Sequence, residues 1–332
     1  NILLLSDIST KNVKKTNPPF LSSGASWADS LMRKMSQEEK IAQLFMVAAY
    51  SNKDKKHEDE VCRLIKDYKV GGLIMMQGGI VKHSKLLNHY QSISKVPLLI
   101  SMDAEWGPAM RLDSVSDFPR QMALGAIQDG ELIFQFGEEV ARQCKLLGIH
   151  VNFAPVIDIN NNPKNPVINH RSFGEAKWNV LSKGLLYMHA LQKNNILAVG
   201  KHFPGHGDTD VDSHKALPVI KKSRKALDSL ELFPFKQTIS SGISGIMVAH
   251  LFVPSLDSTP QLASTLSKKI VTNLLKDSLQ FKGLVFTDAL NMKGVSLDYK
   301  QDELALKALQ AGNDVILFPD DVPGAIELIK TQ

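Results

Sequence analysis

The groups best suited to chemistry are concentrated in residues 201–214, which read Lys-His-Phe-Pro-Gly-His-Gly-Asp-Thr-Asp-Val-Asp-Ser-His. This segment holds three histidines, three aspartates and one lysine. Its proline and two glycines disfavour a regular helix or a central strand, so the sequence predicts a loop. Asp212 and His214 stand two residues apart, a spacing that lets a carboxylate orient an imidazole for proton transfer.

The histidines and aspartates of this loop are also potential zinc ligands. The sequence has no His-Glu-x-x-His or similar helical pair, and a glycine-rich loop does not by itself fix tetrahedral geometry. No Gly-x-Gly-x-x-Gly follows the first apolar run, and no Gly-Lys-Ser/Thr phosphate loop is present. The sequence therefore predicts neither a metal nor a cofactor.

Two polar groups at the ends of apolar segments are candidates for ligand binding. Asp103 can accept hydrogen bonds from sugar hydroxyls with both of its oxygens. The alternative is a structural ion pair with Arg111, and the two interpretations are compatible. Arg171 lies in a loop opened by residues 160–163. Its planar guanidinium suits an acyl or carboxylate oxygen of a ligand, and the alternative is an arginine that pins the loop to backbone carbonyls.

Three further candidates close two other apolar runs. Lys201 and His202 are two donors at the end of one run, and the alternative for His202 is a buried core histidine. Asp288 is a single carboxylate at the end of the run Leu-Val-Phe-Thr. A carboxylate that faces cations stays ionised and can act as a nucleophile. The alternative is an N-cap for the next helix.

The elements that must position these residues follow a regular alternation. Eight short runs are almost continuously apolar, as strands covered on both faces are; they are residues 44–49, 70–76, 97–103, 151–159, 196–202, 245–251, 283–288 and 314–318. Amphipathic helical patterns lie between them, at residues 27–43, 57–68, 81–93, 129–147, 178–193, 224–239, 266–279, 302–311 and 322–329. The alternation predicts a single (β/α)8 TIM barrel, which typically needs roughly 250 residues. A doubly wound open sheet is the alternative.

The barrel places the candidates at one edge, since active sites of such barrels lie at the carboxyl ends of the strands. Polar residues follow strands three to seven in turn: Asp103, then Asp158 and Arg171, then Lys201 and His202, then His250, then Asp288. An apolar core alone does not explain that pattern.

The composition is that of a soluble globular protein, with 43% hydrophobic and 22% charged residues in a chain of 332. No apolar run approaches the roughly 20 residues needed to span a bilayer, so no membrane span is expected. The net charge of +5 comes from scattered basic residues that are not interleaved with aromatics. A nucleic-acid partner is therefore not expected. The two cysteines have no metal-ligand spacing and exclude a disulfide framework.

The ends of the chain suggest processing. We expect residues 1–26 to be a leader or tether and residues 27–332 to be the catalytic barrel. The chain starts with Asn1 rather than Met and continues with a polar stretch, which favours an exported protein, periplasmic or a lipoprotein, over a cytoplasmic one. The predicted barrel ends close to residue 332, which leaves room for an additional C-terminal domain in the full-length protein.

The loop of residues 201–214 resembles the signature loop of the β-N-acetylglucosaminidases of glycoside hydrolase family 3. The resemblance extends over nearly the whole chain, from Met-Ser-Gln-Glu-Glu-Lys-Ile-Ala-Gln-Leu-Phe at residues 35–45 to Ala-Gly-Asn-Asp-Val-Ile-Leu at residues 311–317. It implies a retaining exo-β-N-acetylglucosaminidase that forms a covalent glycosyl-aspartate. The implied substrates are peptidoglycan-derived muropeptides or related chitin-type oligosaccharides.

The resemblance also implies roles. Asp288 would be the nucleophile, His214 the general acid/base, and Asp212 the carboxylate that orients His214. The sugar in the −1 subsite would be held by Asp103, Arg111, Arg171, Lys201 and His202. An imidazole replaces one of the usual two carboxylates, and its ordinary pKa near 6.5 suits a group that gives a proton and then takes one.

One departure from the family pattern concerns the segment after the third strand. The usual Asp-x-Glu-Gly-Gly-Arg-Val-x-Arg reads Asp-Ala-Glu-Trp-Gly-Pro-Ala-Met-Arg at residues 103–111. Pro108 replaces the middle arginine, and Trp106 replaces a small residue at the rim. The change affects the expected aglycone preference more than the reaction. The alternatives are a family 3 β-glucosidase and an inactive sugar-binding barrel.

Overall fold

A barrel of eight parallel strands forms the centre of the protein. The computed structural model describes residues 15–22, 24–210, 212, 216–296 and 299–332. The barrel strands are β1 (Phe45–Ala49), β2 (Gly72–Met75), β3 (Leu99–Met102), β4 (Val151–Asn152), β5 (Leu197–Phe203), β6 (Gly245–Val248), β7 (Leu284–Thr287) and β8 (Ile316–Leu317). Strands β1 to β7 pair in chain order, and β8 pairs in parallel with β1.

The circle closes between β7 and β8. There the backbone N–H of Thr287 donates to the carbonyl of Val315 at 3.0 Å, and the N–H of Val315 donates to the carbonyl of Val285 at 3.0 Å. All eight predicted strands are present and the predicted (β/α)8 TIM barrel is confirmed. The open doubly wound sheet is excluded, because its two edge strands would not meet.

The fourth strand is shorter than predicted. The sequence predicts a strand over residues 151–159, but regular pairing stops at Asn152. Pro155 has no N–H to donate to the sheet, and the segment continues as isolated contacts, such as the bridge between Val156 and Lys201. This irregular stretch leads into the loop that carries Asp158.

Helices surround the barrel and follow the predicted alternation. They are α1 (Ser26–Met32), α2 (Gln37–Ala42), α3 (Lys55–Arg63), α4 (Ile80–Ile93), α5 (Gln121–Gly125), α6 (Gly130–Leu146), α7 (Lys177–Lys193), α8 (Arg224–Ser229), α9 (Leu232–Ser240), α10 (Lys293–Ser296), α11 (Gln301–Ala311) and α12 (Val322–Lys330). A π-helical segment spans Lys269–Ser278. No helix in the described ranges is long and apolar enough to cross a membrane.

Two predicted helices are each split in two. The pattern at residues 27–43 breaks before Ser36, which caps α2 in a capping box with Glu39. The pattern at residues 224–239 breaks between α8 and α9. Pro234 cannot donate to the carbonyl of Leu230, so it is accommodated in the first turn of α9.

The interior of the barrel is filled by its own apolar cluster. Its members come from most of the strands: Met46, Ile74, Met76, Val151, Phe153, Val199, Met247, Phe286, Val315 and Leu317. Phe153 and Phe286 meet edge to face with ring centroids 5.3 Å apart. A second, larger cluster lies between the strands and the helices. The barrel is therefore a packed core, and a ligand can enter only above this plug.

Candidate active site

A cavity of about 380 Å³ opens above the plug, at the carboxyl ends of the strands. Its floor is apolar and includes Ile74, Met76, Met247 and Leu317. Its polar wall includes Asp103, Glu105, Arg111, Arg171, Lys201, His202, His206 and Asp288. Six of the predicted site residues, from the ends of four different strands, thus share one pocket of the size that small ligands occupy: Asp103, Arg111, Arg171, Lys201, His202 and Asp288.

Asp103 lies at the centre of a charge network. Its Oδ1 accepts from Nζ of Lys201 at 2.8 Å, and its Oδ2 accepts from Nη2 of Arg111 at 2.6 Å. Burial disfavours ionisation of Asp103, but Lys201 and Arg111 outweigh it and hold the pKa of the carboxyl below its usual range. The ion pair with Arg111 therefore exists, and Asp103 still lines the pocket as an ionised acceptor.

Glu105 is a functional candidate that sequence reasoning missed. It is fully buried in the polar wall of the pocket, where it accepts from Nζ of Lys201 at 2.8 Å and from Nη2 of Arg171 at 2.7 Å. Burial raises the pKa of this carboxyl, but Arg171 and Lys201 overcome that effect and set it at about 2. The available signal was position, since Glu105 stands two residues after Asp103 at the end of the same apolar run.

Arg171 is held from several sides. Besides Glu105, its Nη1 donates to the carbonyl of Val167 at 3.3 Å, so it also pins its own loop. Its Nη2 lies 3.2 Å from Nε2 of His202, and Nδ1 of that ring lies 2.7 Å from Oδ2 of Asp158. Both ring nitrogens of His202 are therefore engaged within the protein.

Asp288 follows β7 and faces the same cavity. Its Oδ1 accepts from the backbone N–H of Ala289 at 2.8 Å. Burial disfavours ionisation, but His250 and His202 hold the pKa of the carboxyl below its usual range. The following helix α10 begins only at Lys293, so Asp288 is not its N-cap.

Comparison with known proteins identifies the family. The model of the glycosyl hydrolase family 3 N-terminal domain matches residues 36–332. The chain belongs to glycosyl hydrolase family 3. The chain is 34% identical over 283 residues to beta-hexosaminidase A of Pseudoalteromonas piscicida. The aligned region covers 78% of this chain and 47% of that relative.

Two further relatives agree. A beta-hexosaminidase of Nitrosomonas eutropha is 32% identical over 272 residues, covering 79% of the family 3 chain and 77% of the relative. The solved structure of a glycoside hydrolase family 3 beta-N-acetylglucosaminidase from a Paenibacillus species superimposes with a TM-score of 0.84 at 36% identity, covering 90% of this chain and 58% of that one. The chain thus spans about half the length of the Pseudoalteromonas relative, 47%.

His206 is a second pocket residue of the family 3 barrel that sequence reasoning left without a role. It is buried in the first part of the 201–214 loop, and its Nδ1 lies 2.8 Å from Oγ1 of Thr209. Asn165 donates to the carbonyl of His206 at 2.8 Å. Burial, reinforced by the neighbouring His202, lowers the pKa of His206 to about 4.

The predicted proton-transfer pair lies further along this loop. Asp212 lies within the described residues and is partly exposed. Its backbone carbonyl accepts a hydrogen bond from the N–H of Ala216 at 3.2 Å. His214 lies outside the described residues. The pairing of Asp212 with His214 therefore stays a prediction. Across the described part of the chain, no group of three or more histidine, cysteine or acidic residues is arranged to hold a metal ion.

The departure at residues 103–111 has a local structural basis. Trp106 is partly buried, and the guanidinium of Arg120 lies over its ring, 3.5 Å from the centroid. Pro108 begins a short 3-10 turn, Pro108–Met110, that leads to Arg111. The guanidinium of Arg120 covers one face of the Trp106 ring, so that face is used for packing within the protein.

Proposed function

We propose that this chain is the catalytic barrel of a retaining exo-β-N-acetylglucosaminidase. The observation that carries the proposal is the ionised carboxylate of Asp288 in the same blind pocket as the Asp103, Lys201 and Arg111 network. Similarity to a beta-N-acetylglucosaminidase of known structure at 36% identity supports this choice of reaction.

The pocket supports binding of a terminal sugar. Its floor is closed by the apolar plug, so a chain end can enter, whereas the middle of a polysaccharide cannot pass through. Asp103 presents ionised oxygens that accept from sugar hydroxyls. Arg111, Lys201, His202 and Arg171 hold this edge of the pocket in a fixed geometry. This arrangement supports exo-cleavage and the assignment of a −1 subsite.

The proposed reaction proceeds in two displacements. An Asp288 oxygen attacks the anomeric carbon while His214 donates a proton to the glycosidic oxygen, and the aglycone leaves. Water then attacks the anomeric carbon of the glycosyl-aspartate, His214 takes the proton from that water, and Asp288 is released as a carboxylate. Asp212 would orient His214 and stabilise its protonated form.

The preferred ionisation of Asp288 fits the first step. A nucleophile must carry its lone pair at the working pH, and the pKa of Asp288 stays below its usual range despite burial. As substrates we propose peptidoglycan-derived muropeptides or related N-acetylglucosamine oligosaccharides.

A substrate comparison tests the proposal. We expect turnover of 4-nitrophenyl N-acetyl-β-glucosaminide to exceed that of the matching β-glucoside, with Asp288→Asn inactive on both. Equal or greater activity on the glucoside would identify a β-glucosidase instead, and binding of N-acetylglucosamine without turnover would identify an inactive sugar-binding barrel. Muropeptides and chitobiose, assayed in parallel, would then define the aglycone.

A further inference from the structure

Asp158 lies where three segments of the site meet. Its side chain is buried, and its Oδ2 accepts from the backbone N–H of His202 at 3.0 Å and lies 2.7 Å from Nδ1 of the same residue. Its Oδ1 accepts from the backbone N–H of His206 at 2.7 Å. Its backbone carbonyl accepts from Oγ of Ser172, next to Arg171, at 2.7 Å. One residue thus joins the end of β5, the start of the loop and the segment of the binding arginine.

The contacts of His202 define its protonation state. A guanidinium can only donate hydrogen bonds, so Nε2, 3.2 Å from Nη2 of Arg171, must act as an acceptor. In a neutral ring the proton then lies on Nδ1, from which it is donated to the carboxylate of Asp158. The ring of His202 therefore links the two residues. Asp158 fixes the tautomer of the ring, and the lone pair on Nε2 accepts a hydrogen bond from Arg171.

The carboxylate is suited to this work. Burial disfavours its ionisation, but the contacts with His202 and the hydrogen bond from the backbone N–H of His206 favour the carboxylate, and the pKa of Asp158 lies below its usual range. An ionised carboxylate only accepts, and the three N–H groups around it only donate. An asparagine side chain has the same shape, but in either orientation its NH2 group would face one of these donors, and that hydrogen bond would be lost.

We propose that Asp158 is a positioning residue for the sugar-binding wall. It holds His202 as the neutral ring protonated on Nδ1, through that ring it aligns Arg171, and it anchors the start of the loop that carries Asp212. The proposal rests on the proposed glycosidase function for its kinetic consequences, but the tautomer of His202 can be measured without any substrate.

The first measurement is the nitrogen NMR spectrum of the unaltered protein labelled at its histidine rings, with the His202 signals assigned by their loss in His202→Gln. We expect a protonated Nδ1 and an unprotonated Nε2 at neutral pH. A ring protonated on Nε2, alone or together with Nδ1, would overturn the proposal. This result is independent of whether the protein hydrolyses N-acetylglucosaminides, so it separates failure of this inference from failure of the proposed function.

The second measurement uses kinetics. Asp158→Asn should lower kcat/KM roughly 10- to 100-fold, the effect of losing a hydrogen bond to a buried charged group. Combined with His202→Gln, it should add little further loss, because both changes break the same chain of contacts. Full additivity of the two losses would contradict action through His202. If Asp158→Asn fails to fold, the NMR measurement of the His202 tautomer in the unaltered protein still tests the proposal.

The matched control is Asp257→Asn. Asp257 is also a buried aspartate with several hydrogen bonds, to Thr259, Ser267 and Lys269, but it does not line the cavity. Its replacement should leave kcat/KM within about twofold and leave the His202 signals in place, whatever it does to stability. An equal loss of activity in Asp257→Asn would show that removing any buried carboxylate impairs the enzyme, and would refute a specific role for Asp158.

Discussion

The two ends of the barrel carry the same types of charged side chain in opposite surroundings. At the carboxyl end, Nζ of Lys201 lies 2.8 Å from both Asp103 and Glu105, with Lys201 2% and Glu105 0% exposed. Near the amino end of β2, a groove of about 480 Å³ includes Glu38. There Glu38 pairs with Lys330, and the two side chains are 40% and 42% exposed.

The contrast shows what burial does to an ion pair. Exposed pairs are screened by water and contribute little. Buried charges cost a large desolvation free energy that their attraction often does not repay, so stability alone does not explain them. A buried cluster of carboxylates with lowered pKa values at a cavity is instead typical of functional sites. Substitutions at both ends of the barrel test this contrast.

The largest effect should come from Asp288→Asn. The amide keeps the shape of the carboxylate but cannot form a glycosyl ester, so kcat should fall by at least about 10⁴-fold. The measurement is hydrolysis of the nitrophenyl N-acetylglucosaminide, with thermal unfolding as the check that the barrel is intact. A folded variant within tenfold of the original rate would remove Asp288 from the mechanism.

Glu105→Gln should have the next largest effect. It leaves Lys201 and Arg171 with one fewer counter-charge in a buried position, which costs about 3–5 kcal/mol of unfolding free energy. Misplacement of the two cations should also lower kcat/KM. Urea unfolding and steady-state kinetics measure the two effects. Unchanged stability and activity would mean that the buried network is not needed for either property.

His206 predicts a pH dependence of stability. With a folded pKa of about 4 against about 6.5 when unfolded, the unfolded chain binds more protons between these values. Stability should therefore fall as pH is lowered from 6.5 to 4, with up to about 3 kcal/mol of the fall due to His206. His206→Gln should flatten the dependence of the unfolding free energy on pH between 4 and 6.5. Comparison of the two proteins above pH 7.5 gives the part of the stability change that does not depend on pH. An unchanged slope would contradict the lowered pKa.

The smallest effect should come from Glu38→Gln at the opposite end of the barrel. The pair with Lys330 is exposed and far from the cavity, so melting temperature and kcat/KM should remain those of the unaltered protein. This variant is also the matched control for Glu105→Gln, since both replace an ion-paired glutamate by its amide. A loss of stability or kcat/KM as large as that in Glu105→Gln would contradict the contrast between the buried and the exposed ion pairs.

Much of the fold was readable from periodicity. Buried parallel strands require nearly continuous apolar runs, and all eight appear in the sequence. The errors concern places where one residue overrides the pattern. Pro155 interrupts the pairing of β4, while Ser36 and Pro234 mark new helix starts that hydrophobic periodicity does not register.

The site was predictable as a set of strand ends but not as a network. Asp103, Lys201 and Asp288 follow apolar runs, which places them at one edge of the barrel. Glu105 and His206 come from loops whose course depends on tertiary contacts, so their burial against Lys201 and Asn165 could not be read from spacing. The resemblance to the family supplied roles that spacing alone left open.

The most direct test of the central claim is to trap the covalent intermediate. A slow fluorinated N-acetylglucosaminide with a good leaving group should inactivate the protein, and peptide mass spectrometry should then show one added sugar on Asp288. Asp288→Asn should remain unlabelled under the same conditions. A sugar attached to another carboxylate, or full turnover by Asp288→Asn, would contradict the assignment of the nucleophile and with it the proposed mechanism.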